Sequence, residues 1–166
     1  MDRLLDHSFL VTIARDAVGR FYAECPELVA EPALERAKTG RVADQINGLI
    51  RSAGLREYVF ADYDYRKNLH APKELFYQRH DQLIPQNNLI VPDIVVHQPL
   101  SREFNAMVFE LKEAAGDRQD DDIEKLKGLT YQKGVYRYQL GVAVQFTSPE
   151  PTFRFFVDAH EVEFDG

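Results

Sequence analysis

Apolar positions recur at helical spacing in the first third of the chain and at strand spacing afterwards. Leu10, Ile13, Ala14, Ala17, Val18 and Phe21 share one helical face, with Ser8 placed to cap its start and Pro26 just past its end. A second helical region opens at Pro32. It carries Leu34, Ala37, Ala43, Ile46, Leu49 and Ile50, stops at Gly54 and has a breaking point at Gly40. From Arg56 to Asp64 the chain is rich in Tyr, Val and Phe, which predicts a strand.

Arg66 to Asn88 is polar and contains Pro72 and Pro85. It reads as a long loop, a kind of segment that is often functional, with room for a short helix over Lys73 to Gln78. Leu89 to His97 and Ala106 to Lys112 are apolar enough for central strands. Asp117 to Lys127 predicts a helix whose acidic first turn suits the helix dipole. Tyr136 to Phe146 predicts a strand with Tyr138, Leu140, Val142, Val144 and Phe146 on one face, and Phe153 to Val157 a last strand. The order ααβββαββ predicts an α/β domain, a mixed sheet with helices on its faces.

Composition narrows the class. The chain has 166 residues, enough for one domain spanning 1–166 with a core of its own, and 45% of them are hydrophobic. No apolar run reaches the roughly 18 residues of a membrane span, and the N-terminus lacks a secretion signal's plan. Cys25 is the only cysteine, which excludes a disulfide framework or cysteine metal cluster. These features predict a cytoplasmic protein without a membrane partner. The net charge of −7 argues against a broad non-specific nucleic-acid binder, which would need a basic surface.

Two short pieces carry candidate chemistry. One is Val91-Pro92-Asp93-Ile94-Val95-Val96, the other Met107-Val108-Phe109-Glu110-Leu111-Lys112. Alternation along a strand turns Glu110 and Lys112 to one face and Leu111 to the other. If the two strands form a hairpin around a loop from Gln98 to Asn105, symmetric pairing sets Asp93 directly across from Glu110. Opposed Cβ atoms then lie roughly 4.5–5.5 Å apart. Ile94, Val96, Met107, Phe109 and Leu111 fall on the opposite, core face. Two carboxylates so close repel unless protonated or bridged by a cation, and a hard ion such as Mg²⁺ takes oxygen ligands. Such an ion polarises a phosphate oxygen and acidifies a bound water, while Lys112 orients that water and offsets transition-state charge. The plain alternative is a surface hairpin with a cross-strand salt bridge.

These residues resemble the PD-(D/E)XK nuclease superfamily with its restriction-endonuclease-like fold. Pro92-Asp93 looks like the first half of its signature and Glu110-Leu111-Lys112 the second. The resemblance implies an αβββαβ core with an N-terminal helical extension. It implies Asp93, Glu110 and Leu111 as the Mg²⁺ or Mn²⁺ site, Lys112 as the catalytic lysine, and nucleic acid as substrate, DNA ahead of RNA. It also implies another acid on the helix before the first strand, for which Glu35 is the first candidate and Glu31 the second. On the helix after the lysine, Asp122 and Lys125 are candidates to face the site, although as sequence they read as solvated helix-face charges.

Other residues add little. No two of the five histidines have the i, i+4 spacing of a helical zinc site, and His97 reads as a strand-end residue. Tyr131, Tyr136 and Tyr138 with Lys133 and Arg137 suit stacking on nucleic acid, but also suit core tyrosines beside surface charges. No separate recognition domain is visible, so specificity is expected from loops, a homo-oligomer or a partner subunit. The rival function is a non-catalytic interaction protein or accessory subunit on the same scaffold.

Overall fold

The computed structural model describes residues 5–31, 35–55, 60–63, 67–68, 71–72, 78–79, 82–83, 91–99, 103–113 and 119–165. Helix α1 (His7–Glu24) follows the apolar stripe of the sequence, with Leu10, Ile13, Ala14, Ala17, Val18 and Phe21 all buried. Its N-cap is Asp6 rather than Ser8: the Asp6 carboxylate accepts from the Ser8 N–H, the role a capping side chain performs. Pro26 starts a short helix α2 (Pro26–Ala30) instead of only ending α1, because proline at the first helical position lacks only an N–H that is unpaired there anyway. Helix α3 (Glu35–Ser52) runs unbroken through Gly40; the expected start at Pro32 lies outside the described residues. Gly54, at φ 72°, closes it while the Leu55 N–H reaches back to the Ile50 carbonyl, a glycine-dependent helix stop.

The described residues continue with ten strands: β1 (Phe60–Tyr63), β2 (Lys67–Asn68), β3 (Ala71–Pro72), β4 (Gln78–Arg79), β5 (Gln82–Leu83), β6 (Ile94–His97), β7 (Asn105–Glu113), β8 (Leu140–Phe146), β9 (Thr152–Val157) and β10 (His160–Val162), with helix α4 (Gln119–Thr130) between β7 and β8. Among the described residues, the stretch that reads as a long loop contains two tiny hairpins, β2–β3 and β4–β5. Gln78 is in a strand pair, and the rest of the helix expected over Lys73 to Gln78 lies outside the described residues. Strand β10 has no counterpart in the pattern of the sequence.

The architecture is α/β, with a six-stranded mixed sheet in the order β1-β6-β7-β8-β9-β10 and helices on both faces. Within that sheet β7 and β8 run parallel, as the crossover through α4 requires; the other neighbours are antiparallel. On one face α1 and α3 cover Ile94, Val96, Met107, Phe109, Leu111, Val142 and Phe155. On the other, α4 lays Ile123, Leu126 and Leu129 against Val95, Val108 and Phe156. Gly141 permits that close seat, since a Cβ there would stand 3.0 Å from Thr130 Cγ2 and 3.2 Å from Phe156 Cβ. Among the described residues no helix is long and apolar enough to cross a membrane.

The strand expected from Tyr136 begins only at Leu140. Arg137, at φ 52°, turns the chain, and Tyr138 joins the cluster under α4 instead of sharing a face with Leu140 and Val142. Tyr136 and Tyr138 are both buried, so they are core tyrosines.

Candidate active site at the end of strands β6 and β7

The β6–β7 ladder pairs Ile94 with Phe109, Val95 with Val108 and Val96 with Met107. Extended by one step, this register sets Asp93 opposite Glu110, as symmetric pairing implied. The hairpin loop is less regular than expected: a bulge between Val96 and His97 shifts His97 onto Asn105. Asp93 lies just before β6, where its Oδ2 accepts the Leu111 N–H at 2.6 Å. The side chain thus caps β7 beyond the end of the β6 ladder. A strand residue's carbonyl points to the same side as its N–H, so the Leu111 carbonyl is also turned towards Asp93, while its side chain is in the core of the α1/α3 face.

Glu110 and Lys112 lie on the α4 face, and α4 answers them with two charges of its own. Lys125 Nζ lies 2.9 Å from Glu110 Oε1 and 3.1 Å from Asp122 Oδ1; Lys112 Nζ lies 3.0 Å from Asp122 Oδ2. Glu110, Lys125, Asp122 and Lys112 therefore form one chain of alternating charge. Asp122 is buried and Lys125 is mostly so, which corrects the reading of both as solvated helix-face charges. Lys125 meets Glu110 Oε1 and Lys112 meets Asp122 Oδ2, so both buried carboxylates have a cationic partner at hydrogen-bond distance.

Electrostatics follow from burial. The Asp93 carboxyl is pushed up to about 6 by desolvation and by the Glu35 charge, against the lowering effects of the Leu111 N–H, Lys125 and Lys112. Glu110 is raised well above the usual carboxylate range by burial first and the Asp93 charge second, with Lys125 opposing. Both lysines are raised: burial works against their charge, but Asp122 outweighs it for Lys112, and Glu110 and Asp122 outweigh it for Lys125.

Glu35 opens α3 at an exposed position, close enough for its charge to act on Asp93 and Lys112. One turn later Lys38 is wholly buried. Its ammonium donates to Glu113 Oε1 at the end of β7 and to the Val29 carbonyl, which ties the start of α3 to the strand carrying Glu110 and Lys112. Nothing in the sequence marked Lys38 beyond its position one turn after Glu35. Glu31 is the exposed C-cap residue of α2, so of the two candidate acids Glu35 is the one brought towards Asp93. His97 is buried at the strand end against Asp62, at 3.1 Å.

A shallow open cleft lies beside this network, lined by Glu110, Lys112 and Asp122 together with Gln145, Thr152 and Arg154. Among the described residues no three His, Cys, Asp or Glu side chains converge as a metal-binding group. The oxygens that the sequence motif offers to a divalent ion are the two carboxylates of Asp93 and Glu110 and the Leu111 carbonyl. All are hard oxygen donors, and Lys125 holds Glu110 Oε1 at 2.9 Å. That set fits an ion such as Mg²⁺, which keeps several waters and commonly uses one or two carboxylates. No family model, curated protein or solved structure matches the chain.

Proposed function

We propose that the chain is a divalent-metal-dependent nuclease, a phosphodiesterase of restriction-endonuclease-like fold acting in the cytoplasm on nucleic acid, with DNA as the first substrate to test and RNA the second. The observation that carries the reading is the Asp93 carboxylate on the Leu111 N–H, between Glu110 and Lys112 of β7 and beside an open cleft. Asp93, Glu110 and the Leu111 carbonyl would hold Mg²⁺ or Mn²⁺, which supplies Lewis-acid polarisation of a phosphate oxygen and acidifies a water. The chain's own contributions follow from its geometry. The Leu111 N–H fixes the Asp93 carboxylate, and Lys125 fixes that of Glu110. Lys112, partly exposed beside the cleft and raised in pKa, stays protonated, so it orients the attacking water and stabilises negative charge on the phosphoryl oxygens. Asp122 positions Lys112, and Glu35 adds negative charge near Asp93.

The test is incubation of the purified protein with linear and circular DNA and with RNA, under Mg²⁺, Mn²⁺ or chelator. Cleavage only with metal, and its loss in Lys112→Ala, is the expected outcome. A second reading, a non-catalytic accessory subunit, is favoured by one observation: Lys112 and Lys125 already neutralise Glu110 and Asp122 within the protein. A folded protein that cuts none of these substrates with either metal puts that reading first.

A further inference from the structure

The sheet register carries the site further than its four charged residues. On the α4 face, Glu110 stands beside Ala143 of β8, and Ala143 beside Arg154 of β9. The next row runs Lys112, Gln145, Thr152. Polar side chains thus cross three strands, and the one small residue, Ala143, leaves a trough between the carboxylate end and Arg154. That trough is part of the cleft. Two strand spacings of roughly 4.8 Å set Arg154 about 10 Å from Glu110.

The other cations here are committed: Lys125 to Glu110 and Asp122, and Lys112 to Asp122. Arg154 is paired too, but through one edge of its fork. Its Nε and Nη2 donate to the two oxygens of Glu161, both at 2.7 Å, and its guanidinium packs over the Phe156 ring, 5.7 Å from the centroid. These contacts hold the fork by one edge. Its Nη1 donates no hydrogen bond to the described residues, and the side chain is 45% exposed. Arginine presents a planar set of donors that matches phosphate geometry, and an ordered one loses less entropy on binding.

We propose that Arg154, oriented by Glu161, is a phosphate-binding subsite for the nucleic-acid strand lying along this cleft. It takes a backbone phosphate within a few nucleotides of the one at Asp93 and Glu110. The inference rests on the nuclease reading, because that reading supplies the polyanionic ligand. It adds the direction of the strand: across β7, β8 and β9, towards the β9–β10 edge.

The test separates this subsite from general attraction and from the nuclease reading itself. A fluorescein-labelled single-stranded oligothymidylate of about 12 nucleotides is the probe. Its binding is followed by anisotropy across a salt series, with Mg²⁺ and in a Lys112→Ala background so that cleavage is negligible over the measurement. Adding Arg154→Ala should weaken binding about tenfold at low salt and make the log–log salt dependence shallower by about 0.7, the value for one phosphate contact on a single strand. Arg154→Lys should restore the slope and part of the affinity, since lysine is a point charge. The control is Arg15→Ala. Arg15 lies on the opposite face of the sheet, over Phe155 and bonded to the Phe164 and Asp165 carbonyls. It removes the same charge and should leave the slope unchanged. An unchanged slope in Arg154→Ala, or an equal change in Arg15→Ala, overturns the subsite while leaving the nuclease reading standing. No binding at low salt by the parent protein removes the nucleic-acid reading and the subsite with it. Thermal melts confirm that each variant is folded.

Discussion

The two faces of strand β7 use alternate residues of one short sequence for opposite purposes. Met107, Phe109 and Leu111 enter the core under α1 and α3, where nearly every neighbour is apolar. Val108, Glu110 and Lys112 face α4, and that face changes character along its length. Val108 packs with Leu126, Leu129, Tyr138 and Phe156, whereas Glu110 and Lys112 meet Asp122 and Lys125. The apolar face gains stability from dispersion and water exclusion. The charged end cannot, because desolvated carboxylates are costly even when paired. The raised pKa values of Asp93 and Glu110 express that cost. A strand end that concentrates such groups, instead of replacing them with apolar ones, has the pattern expected of a functional site.

Variants at neighbouring positions of β7 test whether its two faces differ in this way. Leu111→Ala removes a fully buried side chain from the α1/α3 face. Urea unfolding should show a loss of about 2–5 kcal/mol, while the metal response persists because the Leu111 carbonyl remains. Lys112→Ala, one residue on, should behave in reverse. Cleavage should fall by about 10²–10³, with a stability change within about 1 kcal/mol because Lys112 is partly exposed and Lys125 stays paired with Asp122. Equal stability losses at the two positions would erase the distinction between the faces. Gly141→Ala tests how closely α4 must sit. The added methyl meets Thr130 and Phe156, and stability should fall by about 1–3 kcal/mol in the same unfolding measurement.

The hairpin and its register are legible in the sequence because apolar alternation on β6 and β7 allows only one pairing that buries a complete face. The same logic assigns Ile94, Val96, Met107, Phe109 and Leu111 to the core, where they are. Asp122 and Lys125 read as solvated for a physical reason. They flank the Ile123, Leu126 and Leu129 stripe of α4, and flanking charges are solvated unless the opposing surface is charged too. That surface is Glu110 and Lys112, so the burial of the helix charges depends on a tertiary contact that helical periodicity does not contain. Their i, i+3 spacing beside the stripe was the available signal. Tyr138 departs from its expected face because strand alternation cannot register a positive φ at Arg137. Pro26 reads as a stop because proline ends one helix and opens another with the same restricted φ, and only the packing of Leu28 and Val29 against the core distinguishes the two.

The protonation of Asp93 bears most directly on whether it is a site residue. Its carboxyl is held up to about 6, against an ordinary 3.8. A folded-state pKa above the unfolded one means that the folded chain binds the proton more tightly. The resulting stability is fully present below the unfolded value and is lost as pH rises through about 6. With chelator present, wild-type stability from this group should therefore fall between about pH 4 and pH 7. Asp93→Asn has no such proton, and its amide oxygen can still accept the Leu111 N–H. Its curve should be flatter across that window and lie about 0.5–2 kcal/mol above wild type at neutral pH. Added Mg²⁺ or Mn²⁺ should raise the wild-type Tm at pH 7, because an ion that binds only the folded state stabilises it by mass action. That rise should fade towards pH 5 as Asp93 takes up its proton, and it should be much smaller in Asp93→Asn at every pH. Thermal melts of both proteins, with metal and with chelator, decide the matter. A wild type indifferent to metal, together with a metal-free Asp93→Asn clearly less stable than wild type, would make Asp93 a structural acceptor for the end of β7. The charged end of the α4 face would then be a structural ion-pair network, and the accessory-subunit reading would take precedence.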